Sequence, residues 1–256
     1  MEFTIAELTV NYEKLITHIK THISAPRREL LIGLYKDHEE RVMLMPASGT
    51  DHHHNAFAGG YVDHVLRVID CAMNIRDLWL AHNATEDHTV EELVFAAINH
   101  DIGKIGTESA EQYIVNDSDW HRKNQGKMYK YNPENAYMTV PDRGLFLLQQ
   151  RGIVVSANEY LAIKLHDGLY DDANKSYYIS YSKDSKLRSN LPIILHQADS
   201  MASRIEYEKW YSTNGAQVLC VDTQSKKRSL HAPTDLSDTR KDDLINVFNT
   251  LFAPDK

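Results

Sequence analysis

A chain of 256 residues, 42% hydrophobic and 25% charged, can bury a sizeable core, which excludes wholesale disorder. Its formal net charge of −8 argues against a general nucleic-acid binder, which needs a basic surface, but leaves room for a small phosphorylated substrate in a local basic pocket. No run of about 18 apolar residues is present to span a membrane, MEFTIAELTVNYEKL lacks the pattern of a secretory leader, and Cys71 with Cys220 makes no disulfide framework, so a reducing cytosol is the expected compartment.

The chain reads as helix after helix. Leu15, Ile16 and Ile19 form a first helical stripe, and a second runs from Pro26, a good first-turn residue, through Leu30, Leu31 and Leu34. Residues 41–60 break the pattern with Pro46, Gly49, a His52-His53-His54 run and Gly59-Gly60. A long helix is expected from Tyr61 to Ala81. The capping box Thr89–Glu92 opens a helix ending near His100-Asp101. Residues 106–140 read as a long polar and aromatic loop, of a length that usually serves function. Pro141 opens a short helix that Gly152 ends, and a second capping box, Ser156–Glu159, leads a helix to His166. After a polar loop over 167–190 comes a helix from Leu191 to about Tyr211. Ala216–Thr223 alternates weakly and reads as a poor strand, and a last helix is expected over Asp238–Phe252. No internal repeat stands out. The reading is an all-α, compact single-domain bundle with an N-terminal helical segment (1–50), a core (51–212) and a C-terminal extension (213–256).

Ionisable residues occupy positions where three of these helices demand apolar ones. His64 shares a face with Tyr61, Val68 and Cys71. His100 lies with Leu93, Ala96 and Ala97, Asp101 with Val94 and Ala97, and Asp199 with Leu195, Ala198 and Ala202. A lone buried aspartate costs several kcal/mol unless it is paired or bound to a metal. Two aspartates and two histidines in such places point to one shared cation. The mixed nitrogen and oxygen donors suit Mn, Fe, Co, Ni or Zn better than Ca or Mg, with Mg still admitted.

The segment NHDIGK (Asn99–Lys104) resembles the signature of the HD superfamily of metal-dependent phosphohydrolases. GGYVDHVLRV (Gly59–Val68) is similar to that superfamily's first-histidine motif, and LHQADSMAS (Leu195–Ser203) to its closing aspartate motif. All three follow the family's order over residues 50–210. The resemblance implies the superfamily's compact helical fold and makes His64, His100, Asp101 and Asp199 the ligands of one tightly held divalent metal ion. The stretch His53–Gly60 looks like that of bacterial 3′–5′ exoribonucleases with an HD domain and of small stand-alone bacterial and phage HD hydrolases. Those exonucleases carry an oligonucleotide-binding β-domain ahead of the HD part, where this sequence has about 50 helical residues; the difference favours a small substrate.

Two-metal relatives add histidines between the HD pair and the last aspartate. His166, in EYLAIKLHDG, is the candidate here, while VPDRGLFLL (Val140–Leu148) offers none, so His166 is expected to touch substrate or orient water. Lys104, three residues past the ligand pair, is expected to contact a phosphate oxygen, and Asp101 to act as both ligand and proton acceptor. His54 and His166 are candidates for leaving-group or phosphate contacts. His121, Arg122 and Lys123, with Lys127 and Lys130, and Lys183, Lys186 and Arg188 supply cations in the two long loops, among tyrosines able to stack a base. The expected function is a metal-dependent phosphoric ester or anhydride hydrolase acting on a nucleotide, a deoxynucleoside mono- or triphosphate, through metal-activated water. The alternatives are a phosphodiesterase or 3′–5′ exonuclease on a cyclic nucleotide or oligonucleotide, and a non-catalytic nucleotide-binding HD module. The oligomeric state stays open.

Overall fold

The computed structural model describes residues 3–51 and 53–222. Within the compact unit Met1–Asn214 the helices run α1 (Ile5–His22), α2 (Arg27–Asp37), α3 (Glu39–Leu44), α4 (Gly60–Ala81), α5 (Val90–Asn99), α6 (Asp119–Gln125), α7 (Val140–Gln150), α8 (Ala157–Leu165), α9 (Lys175–Tyr178) and α10, which starts at Leu191. Residues from Gly215 belong to a second unit, of which the described part is the continuation of α10 to Asp222. The expected all-α class is therefore observed. No described helix is long and apolar enough to cross a membrane.

Each early helix follows from its sequence. In α1, Thr4 and Glu7 close a reciprocal capping box, and Leu8, Tyr12, Leu15, Ile16 and Ile19 turn one face to the core. α5 is apolar nearly all round, and Leu93 to Asn99 are all buried, which makes it the central rod of the bundle. α1, α4 and α8 pack around it.

The starts of α5 and α8 are tied to each other. Thr89 and Ser156 cap them with the same box, closed by Glu92 and Glu159. Arg27, just past the turn into α2, reaches Glu91 at 2.5 Å and Glu159 at 2.7 Å, with its guanidinium 4.3 Å from the Phe95 ring centre. The Ser156 hydroxyl donates to Glu92 at 2.8 Å. This clamp sets the two helices in register, so their far ends, which carry His100 and His166, arrive side by side.

Three segments differ from the sequence reading. Residues 106–139 are not a plain loop: Tyr113–Val115 and Tyr129–Tyr131 pair as antiparallel strands β1 and β2, with α6 between them. Strands of three residues are too short to show alternation. The loop over 167–190 contains α9 and two short 3₁₀ turns. The weak strand expected at Ala216–Thr223 is helical through Asp222, because extending a helix already nucleated at Leu191 costs little per residue. The last expected helix, Asp238–Phe252, lies outside the described residues, as does His52.

Arg27→Met tests the clamp. Burial pushes the Glu159 carboxyl above its ordinary range, against the Ser156 N–H and Arg27. Leaving that carboxylate unpaired should cost about 3 kcal/mol in denaturant unfolding. Without Arg27 the folded state holds the proton to still higher pH, so stability should fall as pH climbs above the unfolded value of 4.5, and the loss should be larger at pH 8 than at pH 5. An equal loss at both would show that Glu159 is not what Arg27 neutralises.

Candidate metal centre

Two ionisable pairs stand at the ends of the clamped helices. His100 is the C-cap of α5 and Asp101 opens a 3₁₀ turn, Ile102–Ile105. His166 is the C-cap of α8 and Asp167 precedes a 3₁₀ turn, Gly168–Tyr170. The same device of capping box, short helix, His-Asp and tight turn thus occurs twice, a local repeat that the sequence reading missed. Glycines permit the packing behind each pair. A Cβ on Gly103 would lie 2.0 Å from the Val140 carbonyl oxygen, and one on Gly168, at φ +58°, would enter the His196 ring.

α4 and α10 complete the centre with His64 and Asp199. His64 and His100 are fully buried, Asp101 and His166 nearly so, and the Asp199 side chain is 18% exposed. His64 Nε2 lies 3.1 Å from Asp199 Oδ1, 3.4 Å from His100 Nε2 and 3.9 Å from Asp101 Oδ2. His100 Nε2 is 3.5 Å from Asp101 Oδ2, and His166 Nε2 is 3.6 Å from Asp101 Oδ1. Two groups, His64/His100/Asp101 and His100/His166/Asp199, each bring their donor atoms within 4.8 Å of one another. Both can chelate a single divalent ion.

Hydrogen bonding on the far side of each ring shows why these donors fit a metal. His100 Nδ1 faces the Ala97 carbonyl and His166 Nδ1 the Ile163 carbonyl, both at 2.8 Å. Helix ends leave such carbonyls free. His64 Nδ1 faces both oxygens of Glu206, at 3.1 and 3.2 Å. Carbonyls and carboxylates only accept, so every Nδ1 carries a hydrogen, which leaves Nε2 as the nitrogen each ring can offer an ion once any proton there is lost. Two such nitrogens 3.4 Å apart beside two carboxylates fit a shared cation.

The local pKa values follow from this charge arrangement. Burial works against the His64 imidazolium, but Glu206 and Asp199 outweigh it and hold its pKa up at about 10. Burial would also raise Asp101, yet Lys104, His100 and His166 hold it well below the usual carboxylate range. Asp199 is likewise lowered, with His64 overcoming burial. His166 is raised despite burial, by Asp167, Asp101 and Asp199.

The remaining expected site residues divide. Lys104 is buried beside the centre, donating to Asp101 and, at 2.6 Å, to the Ala47 carbonyl. Burial opposes its charge, and Asp101 holds the pKa above the ordinary lysine value. His54 is half-buried with its ring 4.9 Å from that of His64, and burial with the charges of His64 and Lys104 pushes its pKa well down. His121, Arg122 and Lys123 sit on α6. His121 Nδ1 meets the Ser118 hydroxyl at 2.7 Å, Arg122 pairs with Asp119 and the Asn116 carbonyl, and Lys123 is exposed. Lys130 pairs with Asp117 at 2.9 Å. Glu206 is the site residue that sequence reasoning missed. Its signal was available: it follows Asp199 by two helical turns on the face of Ala198 and Ala202.

Fold and site together define a helical bundle built around a buried His/His/Asp metal-binding cluster. A family model, TraI_2, described as a putative helicase, matches residues 5–132, half of the 256-residue chain, and the chain belongs to that family. The match takes in His64, His100, Asp101 and Lys104, and stops before His166, Asp199 and Glu206. No curated protein and no solved structure matches the chain.

With its pKa near 10, His64 carries a proton in the metal-free protein at neutral pH, and a bound ion must displace it. Titration calorimetry with Zn²⁺ in buffers of different ionisation heat should therefore show proton release on binding. The affinity should rise from pH 6 to pH 8. A pH-independent affinity without proton release would remove His64 from the ligand set.

Proposed function

We propose that this protein is an HD-type metal-dependent phosphohydrolase acting on a nucleotide. The observation that carries the reading is the pair of overlapping groups His64/His100/Asp101 and His100/His166/Asp199, joined at His100, with the Lys104 ammonium beside Asp101. His64, His100, Asp101 and Asp199 would hold the ion. A divalent ion supplies Lewis acidity towards a phosphoryl oxygen and makes water more acidic.

This chain's own residues then position charge and protons. The Lys104 ammonium has three N–H donors, of which Asp101 and the Ala47 carbonyl take two. The third is left for a substrate oxygen, where charge accumulates as a phosphoryl group transfers. The lowered pKa of Asp101 suits a ligand and orienter more than a strong base. His166 faces the other oxygen of the same carboxylate and holds its proton more tightly than a free imidazole, which suits it to protonate the leaving oxygen.

A second reading has its own support. The family's description concerns nucleic acid, which favours a phosphodiester of a DNA or RNA strand as the bond cut. The 256 residues contain no G-x-x-x-x-G-K-S/T phosphate loop, so strand unwinding driven by a nucleoside triphosphate is not what they support. The Mn²⁺-, Co²⁺-, Ni²⁺- or Mg²⁺-loaded protein, incubated with a panel of nucleotides and end-labelled oligonucleotides, separates the readings. Free phosphate, pyrophosphate or triphosphate marks a nucleotide substrate; shortened strands mark the phosphodiester. No product from either class, with metal bound, would leave a non-catalytic binding module.

Two substitutions test the assigned roles. Asp199→Ala should abolish hydrolysis and strip most of the metal while the far-ultraviolet circular dichroism stays helical; wild-type metal content would refute the ligand assignment. Lys104→Met should keep its metal and lose most turnover. A rate within about threefold of wild type, ~0.65 kcal/mol in the barrier, would leave Lys104 without an important catalytic role.

A further inference from the structure

Glu206 is an expensive residue to bury. Its side chain has no exposure, and an unpaired carboxylate in such a place costs several kcal/mol. Both of its oxygens lie against His64 Nδ1, and Oε1 also accepts from Arg67 Nε at 3.1 Å. Arg67 is held in turn: its second arm donates to Asp63 Oδ2 at 3.0 Å, which also accepts from Asn55 Nδ2 at 2.8 Å.

The position of His64 explains why such a residue is needed. His100 and His166 stand at helix C-termini and take their Nδ1 acceptors from carbonyls that the helices leave free. His64 lies inside α4, where the carbonyls of the preceding turn are engaged in the helix ladder. Without a side-chain acceptor its ring could place the hydrogen on either nitrogen, and Nε2–H cannot bind a metal. From geometry we infer that Glu206, clamped by Arg67, is the positioning residue that keeps His64 in its Nδ1–H form and aims Nε2 at the centre. The inference rests on the metal reading above, though not on any choice of substrate.

Glu206→Gln is the informative variant. Arg67 donates to Oε1, so the amide oxygen is drawn there, 3.2 Å from His64 Nδ1, and the amide NH₂ takes the Oε2 place, 3.1 Å from the same nitrogen. His64 Nδ1 then meets a donor and one neutral oxygen in place of two charged acceptors, and its Nδ1–H form loses its preference. Co²⁺ titration followed by visible absorption should show a 10- to 100-fold loss of affinity, the usual effect of removing such a partner. The metal-free variant should melt below the wild-type temperature, because the Arg67 guanidinium and the His64 imidazolium lose the carboxylate that faces them. In ¹⁵N-histidine spectra of the Zn²⁺-loaded wild type, His64 should appear with hydrogen on Nδ1 and metal on Nε2. Should Glu206→Gln fail to fold, Arg67→Met decides, with a smaller loss in the same direction. Unchanged Co²⁺ affinity with an unchanged His64 signal would overturn the inference while leaving the metal centre intact. A wild-type protein that takes up no ion would overturn both.

Discussion

Two carboxylates and three imidazoles cannot share a buried point in an apolar bundle without a compensating positive charge. In the metal-free protein, protons and the Lys104 ammonium supply it. This explains why the His64 and His166 values are raised while those of Asp101 and Asp199 are lowered. The two carboxylate shifts have the sign that a central cation would impose, and the two imidazole shifts have the opposite one. The protons on the imidazoles are the species an ion replaces. The rest of the bundle can be understood as the means of bringing these groups together and of preventing their escape to water.

The means are mostly backbone. α5 and α8 start at matching capping boxes, are tied by Arg27, and end at His-Asp pairs. Because His100 and His166 sit at equivalent helix ends, the free carbonyls of Ala97 and Ile163 each hold a ring by the same 2.8 Å contact to Nδ1. Asp101 lies between them, one oxygen towards His166 and the other towards His64, His100 and Lys104. The 3₁₀ turn holding Asp101 and Lys104 is backed by α7, at a spacing that only a glycine at 103 allows.

The sequence shows much of this, and the limits are physical. Helix boundaries were legible because capping boxes, Pro141 and Gly152 are local signals. His64, His100, Asp101 and Asp199 were legible because an ionisable group on an apolar face contradicts the helical period. Glu206 obeys the same rule, yet a glutamate in the middle of a long helix, between Arg204 and Glu208, blends into the charged residues around it. The repeat of the His-Asp device was hidden because Ile102-Gly103-Lys104 and Gly168-Leu169-Tyr170 share almost no side-chain chemistry. What repeats is the hydrogen bond to the carbonyl three residues back, which a residue string does not display. The hairpin in 106–139 escaped because its strands owe their existence to pairing across thirteen intervening residues rather than to local pattern.

The histidine-bearing loop before α4 is joined to the centre at two points. Lys104 donates to Asp101 and to the Ala47 carbonyl, and the Ala47 N–H donates to the Asn55 carbonyl at 3.1 Å. The Asn55 side chain donates to Asp63, Asp63 accepts from Arg67, and Arg67 donates to Glu206, which returns to His64. The circuit leaves the centre at Asp101 and re-enters it at His64. Asn55 belongs to both arms, and its left-handed conformation, φ 41°, is what lets its carbonyl and side chain face opposite partners. His54, its neighbour in the chain, is thereby fixed against the His64 ring by groups that each end on a residue of the centre. The loop before α4 is thus tied to Asp101 through Lys104 and to His64 through Glu206, by one unbroken set of hydrogen bonds.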